Sequence, residues 1–401
     1  MRFLHPSLRR YYSQLLLKEG ESLIDAPTRF SPQFLKGRNN IGCSRLPSAL
    51  LLATQKLLVG YPRSLLHRAL YSLKSRLDTP IPPANPNFNA LGKRVISNPL
   101  GFSKWEWSES EVMVHVVTEM PKSVAVVERI LVQDLAQQGR VVRGVWDFGS
   151  GVGSVKWAAR EVFPNIYVKE QDISARMQKI NKELINEDEA ATVGDVNLST
   201  AVFSLGELID EEAIRLALDQ MYENTSEYAL VVDHGSPQGF ERVMYARDHF
   251  ISKGMNILAP CLHLKPCPLA RGKEVCSFKQ RLENPPLMNE LRSSSNKAGY
   301  TDVSFSYVLA SKNQEAADMV GEWEGRIVRK GLKKSGHVVN DLCTEEGKLM
   351  RYVNTRVQGK QIYYDARKST LGDLWPHPSK ARPVEKSIDN DNQKTDTEAI
   401  N

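Results

Sequence analysis

Four of the five cysteines in this 401-residue chain could supply thiolate ligands to a metal. Thiolates are soft ligands, and a set of four suits Zn²⁺ or an iron–sulfur cluster. The spacing matches neither the usual zinc-finger pairs nor the common ferredoxin runs, so ordinary free or buried cysteine is the alternative. The candidate metal ligands are Cys261, Cys267, Cys276 and Cys343.

The loop over residues 259–281 carries three of these cysteines and has further features. Its prolines stiffen the backbone, which would help to hold thiolates in a fixed arrangement. His263 lies between two of the cysteines but is left outside the predicted site, as is Cys43 near the N-terminus. The loop also holds an aromatic residue, Phe278, and five cations, which could contact nucleic-acid phosphates or be merely solvated. These cations are Lys265, Arg271, Lys273, Lys279 and Arg281.

A glycine-rich segment, residues 147–153, follows a predicted strand and opens a predicted helix. Glycines at such a position allow a sharp turn and a close approach to a ligand. The acidic residue at the end of the next predicted strand is placed where ribose hydroxyls are usually bound. The lysine of a P-loop is missing, so NTP hydrolysis is not supported. We predict a nucleotide-type cofactor site made of Asp147, Gly149, Gly151, Gly153 and Asp172.

The pattern Asp-x-Gly-x-Gly-x-Gly resembles motif I of class I S-adenosylmethionine-dependent methyltransferases more than the dinucleotide fingerprint. This resemblance implies an α/β fold with a Rossmann-type sheet and a site for S-adenosylmethionine, but fold alone does not establish methyl transfer. The segment Phe203–Leu208, which would face the substrate, has neither an Asn-Pro-Pro-Tyr clamp nor a cysteine. Glu207 could act there as a general base or could brace the next helix, so the catalytic residues stay unknown.

The elements that must position these residues follow from the pattern of apolar runs. Between about residues 143 and 310, short apolar runs alternate with helical stretches, which is typical of a parallel sheet flanked by helices. The predicted strands are Gly144–Phe148, Ile166–Glu170, Thr200–Ser204, Tyr228–Asp233, Met255–Ala259 and Val303–Leu309. Helices are predicted over 47–77 and 109–138 and from near Val152, Ser174, Glu211 and Pro237. The runs His337–Leu342 and Lys348–Asn354 predict a hairpin.

Charge is distributed unevenly along the chain. Residues 1–80 carry 13 Lys and Arg against 4 Asp and Glu, although the net charge of the whole chain is only +6. The first 18 residues hold four cations and no acid among apolar residues, which is typical of a mitochondrial presequence; a basic N-terminal arm is the alternative. No apolar run approaches the ~18 residues of a membrane-spanning helix, so we expect no membrane insertion.

These observations divide the chain into five predicted parts. Residues 1–20 are a mitochondrial presequence, and 21–140 form a basic helical N-terminal region. A methyltransferase-like domain covers 141–310 and includes the loop 259–281. A small β-rich C-terminal module over 311–382 precedes a polar tail over 383–401, which we expect to be disordered.

Several blocks of sequence together resemble one family, the methyltransferase-like proteins of the mitochondrial small ribosomal subunit. The blocks run in family order between residues 147 and 375, and the first 140 residues match more weakly. They are Asp147–Ala159, Phe203–Leu208, Gly235–Phe240, Ala246–Asp248, the loop ending at Cys276–Arg281, Gly336–Val339, Leu342–Gly347, Asp365–Lys368 and Gly372–Trp375.

The family resemblance implies a protein of the mitochondrial matrix that binds the maturing small ribosomal subunit through its rRNA and proteins. It implies S-adenosylmethionine in the glycine-loop site and a [4Fe–4S] cluster on the four cysteines, with zinc as the alternative. Methyl transfer would be weak or lost, which leaves an assembly factor. Two other functions stay open: an active rRNA methyltransferase of the small subunit, and a zinc-stabilised structural ribosomal protein.

Overall fold

The computed structural model describes residues 29–39, 41–77, 107–185, 194–208, 210–270, 274–291, 298–313 and 322–384. The presequence predicted over 1–20 lies outside these ranges, as does the predicted tail from residue 385 onward. Across the described ranges, no helix is both long enough and apolar enough to cross a membrane.

Helices dominate the described chain before the glycine-rich loop. Ser108 and Glu111 form a capping box that starts one of them. The helix predicted over 109–138 is divided near Pro121, because proline cannot donate the backbone hydrogen bond of a helix interior, and it ends in a π turn and a 3-10 turn. The elements are α1 (Pro32–Lys36), β1 (Cys43–Ser44), α2 (Ser48–Leu57), α3 (Arg63–Leu77), α4 (Glu109–Thr118), α5 (Met120–Ile130), the π turn Leu131–Leu135 and the 3-10 turn Ala136–Gln138.

The next elements build an open sheet. Its strands are β2 (Gly144–Phe148), β3 (Tyr167–Gln171), β4 (Leu198–Val202), β5 (Tyr228–His234), β6 (Asn256–Ala259), β7 (Phe278–Glu283) and β8 (Tyr300–Ser311). The connecting helices are α6 (Ser154–Val162), α7 (Ala175–Leu184), α8 (Glu211–Glu223), α9 (Pro237–Ser252) and α10 (Pro286–Leu291). The strand order is β1-β7-β8-β5-β4-β2-β3, and β6 also pairs with β8.

Strands β2 to β5 run parallel, and β8 lies antiparallel to β5. The chain leaves β2 for β3 on one side and later returns to β4 on the other, so the strand order reverses at β2. This arrangement confirms the predicted class I methyltransferase-like α/β fold. All six predicted strands are present, although the one predicted over Thr200–Ser204 lies two residues earlier, because Phe203 turns away from the strand with a φ of 56°.

The cysteine-rich loop interrupts one edge of the sheet. Strand β6 pairs with the end of β8, where Asn256 faces Ser311, and β7 pairs with its beginning, where Phe278 faces Phe305. The two strands therefore lie end to end along the same side of β8, and the described parts of the connecting segment, residues 260–270 and 274–277, leave the sheet between them. Strand β7 was not predicted, because all of 259–281 was expected to be loop.

Helices cover both faces of the sheet because its strand residues alternate. Val145 and Leu230 point to the face covered by the N-terminal helices with α6 and α7. Trp146 and Val231 point to the opposite face, covered by α8 and α9. The sheet is thus buried on both faces, and its edges and strand ends are the places where polar chemistry can be positioned.

A second sheet forms the C-terminal module. Its order is β13-β9-β11-β12-β14, with β10 also on β11, and the predicted hairpin is β11 paired with β12. Helix α1 packs into this module through Phe34, which is fully buried there, although the sequence placed it in the N-terminal region. The elements are β9 (Gly325–Ile327), β10 (Leu332–Lys333), β11 (His337–Cys343), β12 (Leu349–Thr355), the 3-10 turn Arg356–Gln358, α11 (Lys360–Lys368), β13 (Leu374–Trp375) and β14 (Lys380–Pro383).

Phe278 fixes β7 at the end of the cysteine-rich loop, and its removal tests this part of the fold. The ring is fully buried and lies 6.1 Å from the ring of Phe305 and 5.4 Å from that of Tyr307. We expect Phe278→Ala to lower the free energy of unfolding by about 3–5 kcal/mol, measured by denaturant titration. Lys279→Ala on the exposed face of the same strand is the control and should change it by less than about 0.5 kcal/mol. Equal values for the two variants would contradict the placement of β7.

Candidate functional site

A cleft of about 310 Å³ opens at the carboxyl ends of β2, β3 and β4. Open α/β sheets bind ligands at this position, where the strand order reverses. The glycine-rich loop between β2 and α6 forms its floor, and Trp107, Met177 and Phe203 belong to its walls. The lining is mostly apolar with a few polar groups, which is the usual character of a small-molecule site.

The backbone of the loop requires glycine at the three predicted positions. Gly149, Gly151 and Gly153 have φ angles of 68°, 55° and 84°, in the left-handed region that favours glycine. A Cβ on Gly149 would lie 2.5 Å from the Cβ of Ser204, and one on Gly153 would collide with Asn181 of α7. A Cβ on Gly151 would meet no atom within 4 Å. Gly151 therefore borders the open space of the cleft, whereas Gly153 permits close packing against α7.

The two predicted carboxylates have different surroundings. Asp172 accepts hydrogen bonds from the amides of Gly151 and Ser174, both at 2.7 Å, and so ties the loop to the start of α7. Asp147 is 1% exposed and accepts a hydrogen bond from the Thr200 hydroxyl at 2.7 Å. Burial raises the pKa of the Asp147 carboxyl well above its usual range. Asp147 thus supports the loop from within the sheet, and Asp172 is the carboxylate better placed to meet a ligand.

An aromatic residue with an unusual backbone follows β4 beside the cleft. Phe203 has a φ of 56°, which is rare for a bulky side chain and recurs at functional sites. Its ring lies 4.6 Å from the ring of His234, at the end of β5. The segment Phe203–Leu208 was expected to face a substrate, but its contact with His234 could not be predicted, because the two residues belong to distant parts of the sequence.

Glu207 lines the same cleft. Its side chain is exposed at the mouth of the cleft. Desolvation by the cleft wall, together with the charge of Asp172, raises the pKa of its carboxyl to about 7. The bracing role considered for Glu207 belongs instead to Asp210, which caps α8 by accepting a hydrogen bond from the amide of Ala213. A carboxyl that titrates near neutral pH suits a general base.

The four predicted metal ligands come from separate segments and converge. Cys261 follows β6, Cys267 and Cys276 lie in the loop, and Cys343 ends β11 of the C-terminal module. Burial, together with the negative charges of the other three thiolates, raises the pKa of the Cys276 thiol well above its usual range. All four are half-buried, and Cys43 is exposed and apart from them. Among the described His, Cys, Asp and Glu side chains, no three are arranged as a site for a single metal ion.

Arg247 of α9 binds the backbone of the cysteine-rich loop. It is 1% exposed and donates to the backbone oxygens of His263 and Lys265 at 2.9 and 2.8 Å. Its Nε is buried and makes no hydrogen bond with any described residue. Burial raises the pKa of the Cys261 thiol, and the neighbouring Arg247 guanidinium opposes that shift. A buried cation of α9 with one unused donor therefore lies beside the thiols.

Arg326 of β9 is a second buried cation near the cysteines. It donates to the backbone oxygen of Pro260 at 2.6 Å and to that of Gly372 at 2.8 Å. Its positive charge opposes the raised pKa of the Cys261 and Cys343 thiols, which burial causes. Neither the spacing of the cysteines nor the local sequence indicated either arginine, since both lie in elements remote from the loop.

His263, which the sequence analysis left out, lies among the thiols. Its Nδ1 is 3.0 Å from the Lys265 carbonyl oxygen and its Nε2 is 3.3 Å from the Sγ of Cys343. Burial and Arg247 lower the pKa of the imidazole to about 4, so the ring is neutral at physiological pH. A carbonyl only accepts hydrogen bonds, so Nδ1 carries the proton. Histidine ligands of metals are commonly oriented by such a bond, and the position of His263 between two cysteines was the available sequence signal.

The sequence matches the model of one family, described as mitochondrial small ribosomal subunit Rsm22, over residues 109–376. The mitochondrial ribosome assembly protein METTL17 of Homo sapiens is 26% identical over 389 residues, which cover 83% of each chain. The mitochondrial ribosome assembly protein RSM22 of Saccharomyces cerevisiae is 25% identical over 187 residues, covering 32% of this chain and 30% of the yeast protein. The mitochondrial Rsm22-cox11 tandem protein 2 of Schizosaccharomyces pombe is 27% identical over 206 residues, covering 43% of this chain and 27% of that protein.

Solved structures with a similar arrangement include methyltransferases of low sequence identity. A SAM-dependent methyltransferase from Aquifex aeolicus is 13% identical, with a TM-score of 0.29, and covers 51% of this chain and 99% of that chain. Magnesium protoporphyrin IX methyltransferase from Synechocystis PCC 6803 is 12% identical, with a TM-score of 0.30, and covers 54% of this chain and 88% of that chain. The fold assignment rests on the strand order.

The family match includes both sites described above. It extends from α4 to β13 and contains the glycine-rich loop, Phe203, Glu207 and all four converging cysteines. The named relatives are mitochondrial proteins, which confirms the mitochondrial localisation predicted from the basic N-terminus. Because the family model covers more than half of its length, this chain belongs to the mitochondrial small ribosomal subunit Rsm22 family.

Proposed function

We propose that this chain is an assembly factor of the mitochondrial small ribosomal subunit, built on a methyltransferase-like scaffold. In this proposal a thiolate-bound metal group joins the cysteine-rich loop to the C-terminal module, and S-adenosylmethionine occupies the glycine-loop cleft. The observation that carries the proposal is that Cys267 and Cys276 of the loop and Cys343 of the module pack against the same small apolar cluster, with the buried Arg247 holding the loop beside them. The names of METTL17 and RSM22 support the assembly role.

The surroundings of the cysteines fit an anionic metal group. Four thiolates carry more negative charge than a Zn²⁺ ion or an iron–sulfur core supplies positive charge, so the bound group needs nearby donors and cations. The unused Nε of Arg247 and the guanidinium of Arg326 meet that need. The amides of Leu269 and Ala270 lie at the sulfur of Cys267 and favour its thiolate. We propose a [4Fe–4S] cluster on Cys261, Cys267, Cys276 and Cys343, with zinc as the alternative.

The role proposed for this metal group is structural. When bound, it would cross-link the loop to β11, and the folded chain would gain the binding free energy because its ligands come together only on folding. Arg247 and Arg326 hold the loop in place around it through the carbonyls of His263, Lys265 and Pro260. Availability of the metal group would then control whether the C-terminal module can present a fixed surface to the ribosomal subunit.

The glycine-loop cleft fits a nucleoside cofactor. The open space beside Gly151 admits a ligand close to the backbone, and Asp172 offers a carboxylate that two amides already orient. Carboxylates at this position of Rossmann-type folds bind ribose hydroxyls. We therefore propose that Asp172 binds the ribose of S-adenosylmethionine, while Asp147 and Gly153 maintain the loop.

Exposed cations support contact with rRNA. In the cysteine-rich loop and β7, Lys265 and Lys279 have exposed side chains, and Arg68 is exposed on α3. Arg281 pairs with Asp302 at 2.7 Å, which reduces its availability for phosphate, and Arg271 and Lys273 lie outside the described residues. Phosphate contacts of this kind give affinity without sequence specificity, and their contribution falls with salt concentration.

Replacement of one cysteine tests the metal joint. We expect Cys267→Ser to lose most of the bound metal and about 3 kcal/mol or more of stability, because a ligand that binds only the folded state contributes by mass action. Metal and sulfide analysis, visible absorption and thermal unfolding measure these effects. Cys43→Ser, which alters an exposed cysteine away from the site, is the matched control and should retain both metal and stability.

The same two variants test the assembly role in cells that lack the native protein. Small-subunit particles are followed on sucrose gradients after rescue with each variant. Restored assembly with Cys43→Ser but not with Cys267→Ser is the expected result. Normal assembly with Cys267→Ser, in protein shown to contain no metal, would rule out the joint as the basis of function.

Replacement of Asp172 tests the cofactor cleft. Asp172→Ala removes two hydrogen bonds from a carboxylate to backbone amides as well as the proposed ribose ligand. We expect the affinity for S-adenosylhomocysteine, measured by calorimetry, to fall about tenfold or more, since hydrogen bonds to charged groups contribute about 1.5–3 kcal/mol each. Asp195→Ala, which removes an exposed carboxylate paired with Arg143, should bind normally. Unchanged affinity in Asp172→Ala would place the cofactor elsewhere.

Glu207 favours one second candidate function, an active methyltransferase acting on small-subunit RNA. Its carboxyl is the group in the cleft with a pKa near 7, and Phe203 beside it offers an aromatic ring to a substrate base. A general base acts in its ionised form, so label transfer from methyl-labelled S-adenosylmethionine should rise as the pH passes through 7. Glu207→Gln should lower the rate about 100-fold or more and flatten the pH profile. Absence of label in the wild-type chain would leave the scaffold function alone.

A further inference from the structure

A second cavity, of about 290 Å³, shares no lining residue with the cofactor cleft. Four parts of the chain enclose it: the residues after α1, the turns after α5, β6 with the start of the cysteine-rich loop, and the C-terminal module. Its volume is close to the lower end of the range for small-molecule sites. A space of this size fits one nucleotide-sized unit better than a longer polymer.

The cavity is rich in positive charge. Arg38, Arg140 and Arg326 line it. The side chain of Arg38 makes no hydrogen bond or ion pair with a described residue, although its charge acts on the buried carboxyl of Asp373. Arg140 uses one guanidinium nitrogen on the backbone oxygen of Asp134, at 2.8 Å. The carboxyl of Asp134 accepts a hydrogen bond from the Tyr307 hydroxyl, and burial raises its pKa. Cations with free donors therefore outweigh the acid in this cavity, which favours an anionic ligand.

Arg326 adds a buried cation at the inner wall. It is 4% exposed, its Nε and Nη1 donate to backbone oxygens, and it makes no ion pair within the described ranges. Its charge acts on the carboxyl of Asp134, whose pKa is raised by burial, and an anionic ligand in the cavity would further offset the cost of burying the guanidinium. Cys261 also lines the cavity, and its thiol interacts with the charge of Arg326, so a ligand here would lie against the cysteine-rich loop.

The remaining lining offers contacts suited to a base. Trp323 is 5% exposed, and its indole Nε1 is buried without a hydrogen-bond acceptor in the described part of the chain. Gln137 and Asn256 present side-chain amides to the cavity, and neither amide is hydrogen-bonded to another described residue. Aromatic rings, amides and guanidiniums are the groups with which proteins stack and read the edges of unpaired bases.

We propose that this cavity binds one unpaired nucleotide of an RNA strand, with its phosphate at Arg38 and Arg140 and its base between Trp323 and the amides of Gln137 and Asn256. The inference rests on the proposed function, since contact with rRNA brings such a strand to the protein. A bound nucleotide would bridge the N-terminal segment, the cysteine-rich loop and the C-terminal module. Free nucleotides share this chemistry, and the experiment separates the two sources.

The test uses the full-length chain and a short, randomised single-stranded RNA that contains 4-thiouridine. Binding is measured by fluorescence anisotropy at fixed salt, and crosslinked peptides are identified by mass spectrometry. Arg38→Ala combined with Gln137→Ala should weaken binding about tenfold or more, because it removes a charge-assisted contact and a base contact. Arg382→Ala, which removes an exposed arginine of β14, is the control and should bind like the wild type.

Crosslinks to residues 133–140 or to Trp323, lost in the double variant, would support the proposal. Equal RNA binding by the double variant and the wild type, or crosslinks confined to other segments, would overturn it. The four ribonucleoside monophosphates are tested in the same way by thermal shift. If the monophosphates stabilise the wild-type chain but not the double variant, and both bind RNA equally, the RNA source is overturned and the cavity is assigned to a free nucleotide.

Failure of the cavity proposal and failure of the proposed function give different results. Cosedimentation of the wild-type chain with small-subunit particles tests the proposed function directly. If the double variant still cosediments but gives no cavity crosslink, the assembly role stands and the cavity contributes one nucleotide contact to it. If the wild-type chain fails to cosediment, the proposed function fails, whatever the cavity binds.

Discussion

Backbone oxygens in the irregular segments of this molecule receive hydrogen bonds from buried arginines that belong to regular elements. Arg247 of α9 donates to two carbonyls of the cysteine-rich loop, and Arg326 of β9 donates to a third. Arg129 of α5 donates to the carbonyl of Asn39, after α1. A buried carbonyl must find a donor, and a loop that leaves the sheet has lost its strand partners. These arginines therefore permit an eighteen-residue interruption of the sheet edge, residues 260–277, and fix the C-terminal module beside it.

Helix α9 connects the two sites. Near its start, Arg242 donates two hydrogen bonds to Asp233. Asp233 precedes His234, the last residue of β5, whose ring contacts Phe203 beside the cleft. Arg247 follows five residues later and holds the cysteine-rich loop. The same helix therefore contacts both the cysteine-rich loop and the residues beside the cleft. A ligand bound in the cleft would therefore stabilise the same folded domain that positions the loop.

The parallel strands of the sheet could be predicted from the sequence, whereas the strand at the edge beside the cysteine-rich loop could not. Strands β2 to β5 were predicted because each is a short apolar run followed by a helical pattern. Strand β7, which has four polar residues among its six, follows a stretch rich in Cys and Pro, so local patterning gave no sign of it. The aromatic rings of Phe305 and Tyr307 place its first residue, Phe278, in the sheet. The position of helix α1 could not be predicted for a related reason, since Phe34 is buried by residues more than 290 positions away.

The sequence by itself determined the features that depend on neighbouring residues: the positions of the parallel strands, the left-handed glycines at 149, 151 and 153, and the residue types of a soft-ligand site. Only the tertiary structure decided which groups surround those features. His263 and two buried arginines lie beside the cysteines. Asp147 lies beneath the glycine-rich loop, whereas Asp172 lies in the cleft. Glu207 lies where the pKa of its carboxyl rises to about 7. These properties arise from burial and from charges on distant segments, and neither is encoded in the spacing of a motif.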